Sequence, residues 1–323
     1  MDNVTHTLTG LMMARAGLAR KGERGATLVI LLAANAPDID VVFSGLPGGL
    51  RYLEYHRGYT HALLMAPVMA LLALLLGYWI QRAKLDWFNY AASLLAVLSH
   101  LIYDLTNVYG IRLLLPFSSR WLRLDITDIV DPWILIILII ALSAPALAGI
   151  VSSEISGRKS APPRAAWATF ALLAIFCYEG FRLACHARAI AVMSARLYGG
   201  VETPRITAIP DTIDPLRWRG IVETEDFALT VNLMLTEEYI PSFGHVDYPT
   251  QKSAAIDAAR TTEPFQVFES FNQLPFWKVS SASDAIKVEL IDMRFGTPSR
   301  PGFFVATALV TQDGHVLESH LGP

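Results

Sequence analysis

The chain has 323 residues, 53% of them hydrophobic and 17% charged. Soluble proteins carry roughly 25% charged residues, so this deficit argues against an ordinary soluble globule and points to a bilayer. A net charge of −3 gives no electrostatic basis for nucleic-acid binding.

The opening residues, Met1-Asp2-Asn3-Val4, lack the basic start of a signal peptide, so the first apolar segment is expected to stay in the protein. Two short apolar stretches follow, 4–19 and 25–36, which contain Arg15 and Asn35. Helices of this length reach only about 18 Å. They form either two short spans or one hairpin buried against other helices. In both cases their outer ends, near His6 and Asp38, finish on one side. Residues 62–80 and 133–151 are each 19 residues without a charge, enough to cross a bilayer. Residues 88–103 and 165–178 are apolar for 16 and 14 residues and are also read as spans. The second continues past Glu179 and Arg182, close enough on a helix to pair. Asp131 before Pro132 reads as a helix cap, and Trp79, Trp121 and Trp133 read as interfacial anchors. Cys177 and Cys185 lie about 12 Å apart along a helix, too far for a disulfide.

After Tyr198 the character changes. Pro204, Pro210 and Pro215 punctuate a polar stretch, followed by strand-like runs at 220–222, 227–235, 286–295 and 303–311. Asp313-Gly314 separates the last run from 316–319, a hairpin signal. Residues 253–271 read as helical with a break at Pro264. The expected architecture is therefore an all-α polytopic membrane bundle of about four to six helices over 1–198, with a soluble α+β domain over 199–323. Arg20, Lys21, Arg24, Arg82, Lys84, Arg158, Lys159 and Arg164 crowd three short loops, against five arginines in the two opposite loops (Arg51, Arg57, Arg112, Arg120, Arg123). The positive-inside rule places the first set in the cytoplasm, with the second set and the C-terminal domain outside.

Four of the eight histidines fall within the first 104 residues. His6 opens the first helix, and Pro37-Asp38-Ile39-Asp40 ends the second. His56-Arg57-Gly58-Tyr59-Thr60-His61 opens the third, and His100-Leu101-Ile102-Tyr103-Asp104 ends the fourth. The alternating topology puts all of them at one membrane face. His100 and Asp104, four apart, share one side of a helix. Pro37 starts a turn that presents Asp38 and Asp40, and Gly58 permits a turn between His56 and His61. Singly, each residue has a plain structural reading as a helix end, turn former or cap. Together, His6, Asp38, Asp40, His56, His61, His100 and Asp104 read as ligands of a divalent metal. Zinc is favoured, with manganese or iron also compatible with the mixed donors. Asp125 and Asp128 share the outer loop. Arg57 and Arg112 neighbour the ligands and suit either an anionic substrate or the anchoring of helix ends at the headgroups.

At these residues the chain resembles the bacterial inner-membrane metal-dependent hydrolases of the YdjM type. The resemblance rests on Thr5-His6, the Pro37–Asp40 turn, the 56–61 motif, and His100-x3-Asp104 followed by Gly110 and Pro116. Asp292-Met293-Arg294-Phe295 is similar to members with a C-terminal extension. A more distant resemblance, to zinc-dependent phospholipase C and the S1/P1 nucleases, implies His6, Asp38 or Asp40, His61, His100 and Asp104 as ligands. Those enzymes carry further histidines after the His-x3-Asp helix, whereas none occurs here between His100 and His186, so one or two ions are expected.

The functional expectation is a metal-dependent hydrolase acting on a phosphoester or ester of a membrane lipid or lipid-linked substrate, with water activated by the metal. Asp38, Asp40 or His56, whichever is not a ligand, is the expected general base, and Arg57 the oxyanion stabiliser. The alternative is a structural or sensory metal site coupled to the C-terminal domain.

Overall fold

The computed structural model describes residues 1–44, 49–156, 164–200 and 204–322. Arg158 and Lys159, used above for orientation, lie outside the described residues. The chain divides into two compact units. One comprises Met1–Ile39, Arg57–His186 and Pro210–Pro215; the other comprises Asp40–His56, Ala187–Ile209 and Leu216–Pro323.

Among the described residues eight α-helices precede the first strand: α1 (Asn3–Met13), α2 (Ala26–Asn35), α3 (Val41–Ser44), α4 (Leu50–Tyr55), α5 (Ala66–Gln81), α6 (Trp87–Thr106), α7 (Pro132–Ser156) and α8 (Arg164–Ser194). In the first unit, α1 starts where the Asp2 carboxylate accepts from the amides of Val4 and Thr5, both at 3.0 Å. It gives way to a wide turn at Ala14–Leu18, where Gly17 reaches φ 128°. This is why the first helix is shorter than the apolar stretch that encodes it. Pro37, which has no amide hydrogen, ends α2 and begins a 3-10 turn, Pro37–Asp40. Asp131 caps α7 as expected, accepting from Trp133 N at 3.0 Å and Ile134 N at 3.2 Å.

The stretches Leu63–Gln81, Pro132–Ile150 and Arg164–Ser194 are long and apolar enough to cross a membrane. The 20-residue α6 is as long, but it carries a buried polar stripe, Asn89, Ser93, His100 and Asp104, along one face. The core around α6 is built of alanines: Ala33 and Ala34 of α2, Ala70 and Ala73 of α5, Ala92 and Ala96 of α6. Small residues let backbones approach closely where lipid supplies no hydrophobic drive. Gly77 shows how closely: a Cβ there would stand 2.4 Å from Val29 Cγ2 of α2. Ser93 Oγ donates to the Ala70 carbonyl at 2.8 Å, tying α6 to α5. In α8, buried Arg182 donates to the carbonyls of Ile126 (2.7 Å) and Pro215 (2.6 Å), while Glu179 accepts from Thr106 Oγ1 at 3.5 Å. Cys177 and Cys185 are free thiols.

The second unit holds two antiparallel four-stranded sheets. The first runs β1 (Arg205–Pro210), β2 (Arg217–Glu223), β3 (Ala228–Met234) and β4 (His245–Asp247), in that order. Gly220 of β2 packs directly on Met193. Helices α9 (Ala254–Arg260) and α10 (Glu263–Phe271) follow. Pro264 marks the start of α10, not a break within one helix. The second sheet runs β5 (Pro275–Ala282), β6 (Ala285–Asp292), β7 (Val305–Val310) and β8 (Val316–Leu321). The expected hairpin joins β7 and β8, with Gly314 at φ 85°. α10 turns Phe265, Phe268 and Phe271 inward, all fully buried, and packs on β7 and β8. Three strands were not foreseen. β1 sits in the proline-punctuated stretch, and β4 and β5 carry no regular alternation of buried and exposed positions.

Candidate metal centre

The centre lies in the first unit, where two turns and the end of α6 meet. The turn after α2 supplies Asp38, a 3-10 turn at Tyr59–His61 supplies His61, and the last turns of α6 supply His100 and Asp104. His61 Nε2 stands 3.2 Å from His100 Nε2, 3.2 Å from Asp104 Oδ2 and 3.4 Å from Asp38 Oδ1. His100 Nε2 stands 3.3 Å from Asp104 Oδ2 and 3.6 Å from Asp38 Oδ1. Donors about 2.0–2.1 Å from a tetrahedral ion are separated by roughly 3.3 Å. Five of the six edges of such a tetrahedron are therefore present at the right length. The side chains of His61, His100 and Asp104 are fully buried, and Asp38 is 8% exposed.

The surrounding contacts aim these atoms inward. His100 Nδ1 donates to the Ala34 carbonyl at 2.8 Å, which fixes the tautomer and leaves Nε2 with a lone pair. Asp104 Oδ1 takes Arg57 Nη2 at 2.9 Å, Asn107 Nδ2 at 3.3 Å and the amino group of Met1. Asp104 Oδ2, buried beside two imidazoles, has no hydrogen-bond partner among the described residues. Arg57, at φ 56°, is itself held by Asn107 Oδ1 (3.1 Å), the Gly110 carbonyl (3.3 Å) and the Tyr109 ring.

Of the seven ligands expected from sequence, Asp38, His61, His100 and Asp104 form one metal-capable group. His6 lies against it, stacked on His100 at 3.7 Å between ring centroids, with Nε2 3.6 Å from Asp104 Oδ1. Neither His6 ring nitrogen has a hydrogen-bond partner among the described residues, although the side chain is 1% exposed. Asp38 Oδ1 and Asp104 Oδ2 converge with the Nε2 atoms of His61 and His100, donors that a divalent cation would satisfy together, and the nitrogen–oxygen set suits zinc, manganese or iron. Asp40 and His56 fall in the second unit, where His56 Nδ1 lies 2.9 Å from Asp40 Oδ1 and the ring stacks on Tyr52. The loop carboxylates have other partners: Asp125 pairs with Arg123 at 2.5 Å, and Asp128 accepts from Thr212 and the Ile129 amide. Arg112 stacks on Trp121.

Sequence reasoning missed Asn107, which binds both Arg57 and Asp104 and accepts the amides of Tyr109 (2.9 Å) and Gly110 (3.3 Å). The signal was an asparagine three residues past Asp104, immediately after the helix end, with Gly110 beyond it.

A family model described as the YdjM inner membrane protein matches residues 1–189, and the chain belongs to that family. The chain is also similar to the uncharacterized protein YfhP of Bacillus subtilis, with 25% identity across the whole chain and 95% of that protein's length. No solved structure matches it.

Proposed function

We propose that this member of the YdjM family is a multi-pass membrane hydrolase that cleaves a phosphoester or ester of a lipid or lipid-linked substrate, using one divalent metal ion, zinc foremost. The observation that supports this most is the group Asp38–His61–His100–Asp104, whose buried donor atoms stand 3.2–3.6 Å apart along five edges. Such an ion supplies water acidic enough to ionise near neutral pH. His61, His100 and Asp104 hold it rigidly, each side chain sealed from solvent. Asp38, on a short turn and the most exposed of the four, would be the ligand best placed to give way to water or substrate. Arg57 is a positioning residue: it fixes Oδ1 of Asp104 so that Oδ2 faces the imidazoles. His56, adjacent to Arg57 in the chain and oriented by Asp40, is the general base. By the excess of basic residues in the loops at the other helix ends, the centre and the C-terminal domain lie on the periplasmic side.

One observation favours a second reading. Four protein donors at tetrahedral spacing close a zinc sphere, as structural sites do, which suits a structural or sensory metal coupled to the C-terminal domain. Purified full-length protein separates the readings. Hydrolysis requires stoichiometric transition metal, turnover of a model phosphodiester or lipid ester, and loss of both metal and turnover in His61→Ala. Bound metal without turnover on any ester supports the second reading, and absence of metal overturns both.

A further inference from the structure

At the other end of the same helices, the loop from α1 to α2 and the loop from α5 to α6 border an open surface concavity of about 430 Å3. It is lined by Arg20, Lys21, Gly22, Glu23, Arg24, Arg82 and Lys84. The two loops are fastened to one another. Gly25, at φ 79°, sits against Ala83 so closely that a Cβ would stand 2.9 Å from the alanine Cβ and 3.1 Å from its backbone. Asn89 Nδ2 donates to Glu23 Oε1 at 2.5 Å and to the Lys84 carbonyl at 3.0 Å. Arg20 Nη1 reaches Asp86 at 2.7 Å and Glu23 at 3.6 Å.

These fastenings consume the local anions. Glu23 is taken by Asn89 and Arg20. Asp86 is taken by Arg20 and by the Asn89 amide, whose hydrogen bond chiefly holds its carboxyl below the ordinary range. Lys21, Arg24, Arg82 and Lys84 remain around the concavity, all exposed, and none has a carboxylate within ion-pair distance among the described residues. Like charges held this close repel one another, so the pocket favours an anion. The chain on either side of Arg82 and Lys84 is apolar and exposed: Trp79 at 81%, Ile80 at 57%, Leu85 at 52% and Trp87 at 78%. Such residues beside the end of a membrane span sit at the headgroup level.

We propose that this pocket binds the phosphate of an anionic glycerophospholipid, whose acyl chains lie against the exposed apolar residues that flank Arg82 and Lys84 in the chain. The binding is independent of the metal centre and of the hydrolase reading. Full-length protein in detergent is titrated with short-chain phosphatidylglycerol, short-chain phosphatidylcholine and inorganic phosphate, and adducts are read by native mass spectrometry. Phosphatidylglycerol is expected to bind as a discrete adduct, with phosphatidylcholine and inorganic phosphate binding far more weakly. The triple change Lys21→Gln/Arg24→Gln/Lys84→Gln weakens the adduct on the order of a hundredfold, and each single change about fivefold. The charge-keeping Lys21→Arg/Arg24→Lys/Lys84→Arg protein binds as the wild type does. Equal binding of the two lipids, binding of inorganic phosphate as tight as that of phosphatidylglycerol, or an undiminished adduct in the neutralised proteins would overturn the assignment.

Discussion

The two ends of the α1–α2–α5–α6 group solve opposite problems with ionisable residues. At one end Asp38, His61, His100 and Asp104 are sealed from water, and their geometry makes sense around a cation that the side chains alone do not provide. At the other end Lys21, Arg24, Arg82 and Lys84 stand in solvent, while the nearby acidic groups fasten one loop to the next. Buried charge is rigid because every contact has to be satisfied, whereas exposed charge costs little and stays available. Substitutions at the first end should therefore cost stability and metal together. Those at the second should cost neither.

The largest effect is expected for Asp104→Asn. It keeps the shape but leaves Arg57 buried against a neutral amide, at a cost of about 3–5 kcal/mol. Thermal unfolding in detergent reads the loss, and elemental analysis should find the metal gone. A variant that keeps its metal would erase the contrast between the ends. Next is Asn107→Ala, which removes the brace from both Arg57 and Asp104 without replacing a proposed ligand. Metal affinity should fall about 10–100-fold in a chelator competition, and an unchanged affinity would confine the centre to its nearest ligands. Gly77→Ala tests the packing that holds the two ends in register. Its methyl group would meet Val29, at about 1–3 kcal/mol of lost stability, measurable as a lowered Tm. The smallest effect belongs to Lys21→Gln/Arg24→Gln/Lys84→Gln. Stability should stay within about 0.5 kcal/mol of the wild type and metal content should be unchanged. A loss comparable to that of Asp104→Asn would show that the basic end is also structural.

Much of the first end was legible in the chain because helix geometry is local. The four-residue interval puts His100 and Asp104 on one face of α6, and Pro37 stops α2 where Asp38 must turn. The grouping of Asp38 with His61 followed from counting helix ends, a parity argument that tolerates errors in helix length such as the early break at Gly17. What escaped was set by contacts distant in sequence. The Ala34 carbonyl that fixes His100, and the Asn107 amide that bridges Arg57 and Asp104, carry no pattern of their own. Asp40 and His56 had the same local signals as those four residues, and His56 Nδ1 stands 2.9 Å from Asp40 Oδ1. In the C-terminal unit, β6 and β7 announced themselves by β-branched and apolar runs. β1 was hidden among prolines, and β5 mixes serine, lysine and tryptophan at half-buried positions.

The central claim is that one divalent ion binds among Asp38, His61, His100 and Asp104. X-ray diffraction from the purified full-length protein, with anomalous data collected across the zinc, iron and manganese edges, tests it most directly. The account predicts a single strong peak about 2.0–2.2 Å from Nε2 of both histidines and from an oxygen of each aspartate. Imidazoles and carboxylates bonded only to one another in protein that binds no added zinc, or a peak elsewhere that none of the four touches, would contradict it.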